Sequence, residues 1–285
     1  MSRIKNYIVR GLNYILRGEP IVNVKANIVQ LDKNNLLEGR LALITGGTIG
    51  IGYAIADAFL SAGARVIITG RDKGRIDNAV LSLKKKHASS DVSGIVLNNS
   101  DIDGNTKVLE ELLVSNDIDM LVNNAGINGG NLSNCSEEEY QNVMDTNLKG
   151  AVFITRIISN NMIKKGIKGN VLNICSSSSN RPANTAYVLS KWGMRGYTLG
   201  LAKTLIKHGI VVNGLAPGPT ATPMLVKAEN PNLSLPTNPS GRYALPEEIA
   251  NMAVVLTSGL GRMIVGDIVY ITGGAGIITF DDINY

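Results

Sequence analysis

Cysteine and histidine are scarce in this 285-residue chain, with two of each. Cys135 and Cys175 show neither metal-ligand spacing nor a disulfide framework, so both read as reduced thiols. His87 and His208 stand apart from each other and from the cysteines, which leaves zinc chemistry and a Ser-His-Asp triad little to draw on. Long apolar runs are missing too. No stretch approaches the length of a membrane span, and the N-terminus lacks the apolar block of a signal peptide. Strong charge is also lacking. Of the net +5, nearly all lies in the first 40 residues, where Arg3, Lys5, Arg10, Arg17, Lys25, Lys33 and Arg40 outnumber Glu19, Asp32 and Glu38. A nearly neutral body offers no basic nucleic-acid surface. The expectation is a soluble cytoplasmic protein without metal or nucleic-acid partners.

What the chain does have is aliphatic bulk. It is 44% hydrophobic, enough for the core of one large α/β domain. Short apolar strands are expected at 41–45, 65–69, 94–98, 120–123, 170–175, 210–215 and 267–272. Helical patterns fall between them, near 53–62, 72–86, 104–115, 137–165, 185–207 and 246–257, with Asp72 able to cap the second. Such alternation predicts a single doubly wound, Rossmann-type parallel sheet flanked by helices, over residues 39–285. Residues 219–245, rich in Pro, Asn and Ser, read as a lid-like loop. Residues 1–38 form an N-terminal extension. If 3–17 is helical, Arg3, Arg10 and Arg17 share one face and Ile4, Ile8, Leu12 and Ile15 the other, with Pro20 ending it. That face could pack on the body or on a neighbouring subunit, contact an anionic membrane surface, or act as a targeting segment.

Three motifs carry chemistry. Gly46, Gly50 and Gly52, with Thr48, Ile49 and Ile51 between them, follow the first strand and open its helix. Glycines let the backbone turn and approach a pyrophosphate, and the helix N-terminus supplies free N–H donors. The second strand ends in Gly70-Arg71, where an acid would suit a ribose 2′-hydroxyl and an arginine suits a 2′-phosphate. NADP is therefore expected ahead of NAD. Finally, Tyr187 and Lys191 are four apart on a helix and so share a face, placing an ammonium beside a phenol that can exchange protons with substrate.

Asn123-Asn124-Ala125-Gly126 closes the fourth strand, Asn147 lies on the following helix, Ser176 ends the fifth strand, and Pro217-Gly218 follows the sixth. In this order the motifs resemble the short-chain dehydrogenase/reductase family of the compact type, similar to 3-oxoacyl-carrier-protein reductases, over about residues 37–278. The resemblance implies an enzyme that reduces a carbonyl, or oxidises the alcohol, by hydride transfer from NADP(H). It implies Tyr187 as general acid, Lys191 as its electrostatic partner and ribose ligand, Ser176 as donor to the carbonyl oxygen, and Asn147 in a proton relay. It further implies cofactor contacts from Asp101, Ile102, Asn124, Ala125, Gly126, Pro217, Gly218, Thr220 and Thr222, besides Arg71 and the glycine loop. Ser177 is the alternative serine, because four serines run from Ser176 to Ser179. Helices 137–165 and 187–207 would join subunits into a homotetramer or homodimer. Two readings from other classes remain open: a nucleotide-binding protein without catalysis, and a sugar-nucleotide epimerase or dehydratase of the extended fold. The substrate is not legible, although Met224, Leu225, Leu233, Leu235 and Tyr243 make residues 219–245 fairly apolar, and Arg181 and Arg195 could meet an acidic carrier.

Overall fold

The structure is a computed structural model that describes residues 35–88, 91–224 and 232–276. The helix expected over 3–17, and Leu225, lie outside the described residues. Seven strands form: β1 (Leu41–Ile44), β2 (Arg65–Gly70), β3 (Val92–Val96), β4 (Met120–Asn123), β5 (Asn170–Ile174), β6 (Val211–Pro217) and β7 (Ile268–Ile271). They pair in parallel in the order β3-β2-β1-β4-β5-β6-β7. The helices among the described residues are α1 (Gly50–Ser61), α2 (Lys73–Lys86), α3 (Ile102–Ser115), α4 (Glu137–Met144), α5 (Gly150–Lys165), α6 (Ala186–Leu205) and α7 (Pro246–Thr257). This is the doubly wound sheet that the alternation predicts. None of these helices is long and apolar enough to cross a membrane.

Successive strand residues point to opposite faces, so each face has its own core. Ile44, Ile68 and Val122 pack with Phe59 of α1, Ile76 of α2 and Ile249 of α7. Leu43, Ile67 and Leu121 pack on the other side with Leu109 of α3, Ile158 of α5 and Leu205 of α6. Burial on both faces explains why the strands are continuously apolar rather than alternating. Each such side chain, fully withdrawn from water, stabilises the fold by about 1.5–3 kcal/mol before entropy is counted.

Local chemistry sets the helix starts. The Asp72 side chain accepts the Arg75 N–H at 2.7 Å to cap α2, and Lys84, Lys85 and Lys86 occupy its negative end. Ser136 caps α4 and Thr185 caps α6 in the same way.

Several boundaries differ from the sequence expectation. The first helix starts at Gly50 rather than Tyr53, because two of the loop glycines already belong to its first turn. β3 runs over Val92–Val96 rather than 94–98, since its register pairs Val66 with Val92 and Gly70 with Val96. The helix expected over 137–165 is broken by a π-helical turn at Asp145–Lys149. Directly after that turn a Cβ on Gly150 would collide with the Asn99 carbonyl oxygen, so the helix passes against the loop after β3. Residues 219–245 are tied down where described: Ala244 N–H donates to Pro219 O at 2.9 Å, and buried Asn238 donates to Thr272 O at 3.1 Å.

Candidate active site

Between β1 and β4 the strand order reverses, and a cleft of about 830 Å³ opens outside the carboxyl ends of the strands. Its floor begins with the glycine loop. Gly46 has φ +64°, and a Cβ there would lie 2.9 Å from the Ala125 Cα. Asn124 clamps the same turn, donating to Thr45 O at 3.0 Å and Gly46 O at 2.9 Å. Gly52 faces away from the cleft, where a Cβ would strike Asn124 Nδ2 and Gly46 O. Ile49 precedes α1 with no side-chain cap, and Gly50 and Ile51 of the first turn, whose N–H groups have no partner within the helix, line the cleft. Thr48, Ala125 and Gly126 complete this part of the lining. An uncapped helix start over a loop too tight for side chains fits the pyrophosphate of a dinucleotide.

On the β2 side the cleft meets Gly70, Arg71 and Asp72, together with Arg75 from the first turn of α2. A Cβ on Gly70 would sit 3.0 Å from Thr48 Cγ2, so an acidic side chain has little room there. Asp101 and Ile102 do not line the cleft. The Asp101 carboxylate instead accepts the Gly104 N–H at 2.9 Å and caps α3, while Leu97 and Asn99 reach the cleft in their place. The physical reason is local: an aspartate before a helix finds a backbone donor three residues on and turns toward it.

On the β5 side the cleft meets Tyr187, Lys191, Ser176, Ser177 and Ser178. Lys191 is buried, donates from Nζ to Ile174 O at 2.8 Å, and stands 5.7 Å from the centre of the Tyr187 ring. The helical spacing read from sequence thus does bring ammonium and phenol together. Ser176 Oγ accepts the Ser178 N–H at 3.1 Å, which leaves its own proton to donate. Ser179 is turned inward, donating to Ser176 O at 2.7 Å. Cys175 is buried, and burial pushes its thiol up despite nearby Lys191, as suits a small strand residue rather than a nucleophile. Asn147 lies behind the lining. It sits in the π-helical turn, donates to Ile127 O (2.9 Å) and Ser190 Oγ (3.1 Å), and accepts the Ile127 N–H at 2.8 Å. Pro217, Gly218, Thr220 and Thr222 line the roof, with Thr222 Cγ2 3.4 Å from where a Gly50 Cβ would be.

The comparisons with known proteins meet this geometry. The family model described as short chain dehydrogenase matches residues 40–232. The chain belongs to this family. A short-chain dehydrogenase is an oxidoreductase acting on a CH–OH/C=O pair with NAD(P). Among curated relatives, the 3-oxoacyl-[acyl-carrier-protein] reductase of Aquifex aeolicus is 34% identical over 247 residues, covering 84% of this chain and 98% of the relative. Gluconate 5-dehydrogenase of Gluconobacter oxydans is 31% identical over 247 residues, covering 84% and 95%. Among solved structures, the L-sorbose reductase of Gluconobacter frateurii, complexed with NADPH and L-sorbose, superposes with TM-score 0.79 at 28% identity, covering 87% of this chain and 100% of that one.

Sequence reasoning missed several lining residues of this short-chain dehydrogenase. Arg75 was findable, since it lies four residues after Arg71 across the start of one helix. Leu97, Asn99 and Thr237 carry no local signal; they reach the cleft only because the chain folds there. Of the apolar set in residues 219–245, Met224, Leu235 and Tyr243 line the cleft and Leu233 does not.

Proposed function

We propose that the chain is an NADP(H)-dependent carbonyl reductase, able to run in reverse as an alcohol dehydrogenase, with Tyr187 as its general acid/base. The observation that carries this reading is the buried Lys191 beside Tyr187 in the same cleft as an uncapped α1 N-terminus. The NAD(P) class belongs to the family; the choice of NADP is supported by Gly70, Arg71 and Arg75 at the end of β2. Two guanidiniums and little room for an acid at position 70 suit a 2′-phosphate.

When bound, the nicotinamide supplies hydride to the carbonyl carbon. The protein's own residues do the rest. Negative charge gathers on the carbonyl oxygen as the bond is reduced, and a donor already aimed at that oxygen stabilises it without reorganisation. Ser176 is that donor, with Ser177 its neighbour on the same wall. Tyr187 delivers the proton from its phenol. The Lys191 ammonium, fixed by Ile174 O, stabilises the tyrosinate left behind and would also hold the nicotinamide ribose. Asn147 holds the π-helical turn against Ile127 and α6, and resemblance gives that turn the next step of a proton relay. The substrate is a small-molecule carbonyl or alcohol, and residues 219–245 help set its choice through Met224, Leu235 and Tyr243.

For assembly, α6 offers Trp192 and Leu199, 42% and 47% exposed, beside open Gly196 and Gly200. We assign this face to a second copy, in a homodimer or homotetramer. A monomeric mass by light scattering at micromolar concentration would refute that assignment.

NADPH oxidation with a panel of carbonyls tests the catalytic reading. Tyr187→Phe is expected to lower turnover by ~10²-fold or more while NADPH binding stays unchanged. Near-normal turnover in Tyr187→Phe would remove Tyr187 from the chemistry. NADPH binding by the wild type without turnover of any carbonyl would favour the nucleotide-binding protein without catalysis.

A further inference from the structure

Charge is unevenly placed along the cleft. The β2 side holds Arg71, Arg75 and Asp72, and Asp72 is already engaged as the α2 cap. The β5 side holds two charged side chains, Lys191 and Arg181, and no acid among the described residues. Lys191 is committed to Ile174 O and Tyr187. The Arg181 guanidinium has no hydrogen-bond or ion-pair partner among the described residues. It lies near the end of β7, where a Cβ on Gly276 would be 3.6 Å from its Nε. In the sheet order β2 and β7 lie on opposite sides of the switch point, so Arg181 is remote from the adenosine end of the cleft. It lines the cleft together with Ser176 and Tyr187.

The backbone that carries Arg181 is held in place. Its N–H donates to Ser178 O at 3.1 Å, and its carbonyl accepts the Trp192 indole N–H at 2.8 Å. Arg195 stacks 5.6 Å from the Trp192 ring centre and donates to Asn180 Oδ1 at 2.8 Å; Tyr270 donates to the same oxygen at 3.0 Å. Arg195, the other cation nearby, is thereby spent on the turn itself. Among the described residues one guanidinium is left without a partner, on a turn braced from α6 and β7 and lining the cleft that Ser176 and Tyr187 also line.

We propose that Arg181 reads an anionic group on the substrate, so that the preferred carbonyl compound carries a carboxylate or a phosphate. This rests on the reading that Tyr187 marks the substrate end. A planar guanidinium pairs with either anion through two parallel N–H donors, and Ser177 and Ser178 line the same cleft. A neutral substrate would leave this guanidinium with no counter-charge among the described residues.

Trp192 is the single tryptophan and bonds the Arg181 carbonyl, so its fluorescence reports on this turn. The experiment titrates the full chain, preloaded with NADP, with 5-oxohexanoate, with its methyl ester and with inorganic phosphate. It also measures kcat/KM for the acid and for the ester with NADPH. The acid is expected to give a saturable fluorescence change that the ester does not, and to be turned over at least about tenfold more efficiently than the ester. Arg181→Met should abolish the acid response and bring the acid-to-ester ratio close to one; Arg181→Lys should keep part of it. Saturation by inorganic phosphate at lower concentration than by the acid would assign the site to phosphorylated substrates, and the reverse to carboxylates. Equal binding of acid and ester, an acid response that survives in Arg181→Met, or no response to either anion would overturn the proposal. Arg181-dependent acid binding without turnover of either ketone leaves the anion site standing and removes the reductase reading.

Discussion

Asn147→Ala tests the link between the π-helical turn and the reacting residues. The Asn147 amide is 1% exposed and makes three hydrogen bonds, two to the backbone of Ile127 and one to Ser190. Ser190 in turn donates to Tyr187 O at 2.7 Å, so the amide braces the helix turn that carries Tyr187 and Lys191. Each bond contributes about 0.5–1.5 kcal/mol net, and leaving the Ile127 N–H or C=O unpaired costs about 1–3 kcal/mol. These overlap, and a loss of about 3 kcal/mol in unfolding free energy is expected. For a chain of this size that is a drop of roughly 5 °C in Tm. Urea unfolding at one fixed protein concentration, with and without NADP, measures it. Asn147→Asp keeps the acceptor but loses both N–H donors, and should also destabilise. A loss below about 1 kcal/mol in Asn147→Ala, with turnover retained, would show that this amide braces nothing that matters.

The cofactor assignment predicts that Arg71→Ala weakens NADPH binding by about tenfold or more and spares NADH, each charge-assisted contact being worth about 1.5–3 kcal/mol. Because Arg75 lines the same wall, the Arg71→Ala/Arg75→Ala pair should lose more NADPH affinity than either alone; equal losses for NADPH and NADH would refute the assignment. Gly52→Ala drives a methyl into Asn124 Nδ2 and the Gly46 carbonyl, so calorimetry should find a less stable protein and a much weaker NADP(H) complex. The Glu248 carboxyl is held below the usual carboxylate range by hydrogen bonds from Arg242 at 2.7 and 2.8 Å, aided by the Leu245 N–H at 2.8 Å. A depressed folded value stabilises above the unfolded one and is lost as pH falls through it. The Tm gap between wild type and Glu248→Gln should therefore be open at pH 7 and close progressively below about pH 4.5. A gap that does not change with pH would disconnect the ion pair from stability.

The parallel sheet, its strand number and the glycine loop were legible because they rest on short-range rules. Apolar runs such as 41–45 bury on both faces, a helix begins where Asp72 can cap it, and residues four apart on a helix must meet. For that reason Tyr187 and Lys191 could be paired from their spacing, and Gly46 placed at a turn. Other features depend on segments distant in sequence and were decided only by the tertiary fold. Asp101 satisfies the nearest backbone donors and leaves the cleft to Leu97 and Asn99. Asn147 sits in a π-helical turn and finds its partners at Ile127 and Ser190, 20 and 43 residues away. Among the four serines, the bond from Ser178 N–H to Ser176 and the inward turn of Ser179 separate hydroxyls that look alike in sequence. Arg181 and Arg195 likewise read as equals along the chain; packing of Trp192, Asn180 and Tyr270 spends one of them and leaves the other facing the cleft. Spacing determines what a single helix or strand presents. Which hydroxyl, amide or guanidinium is left free depends on what the rest of the chain brings beside it.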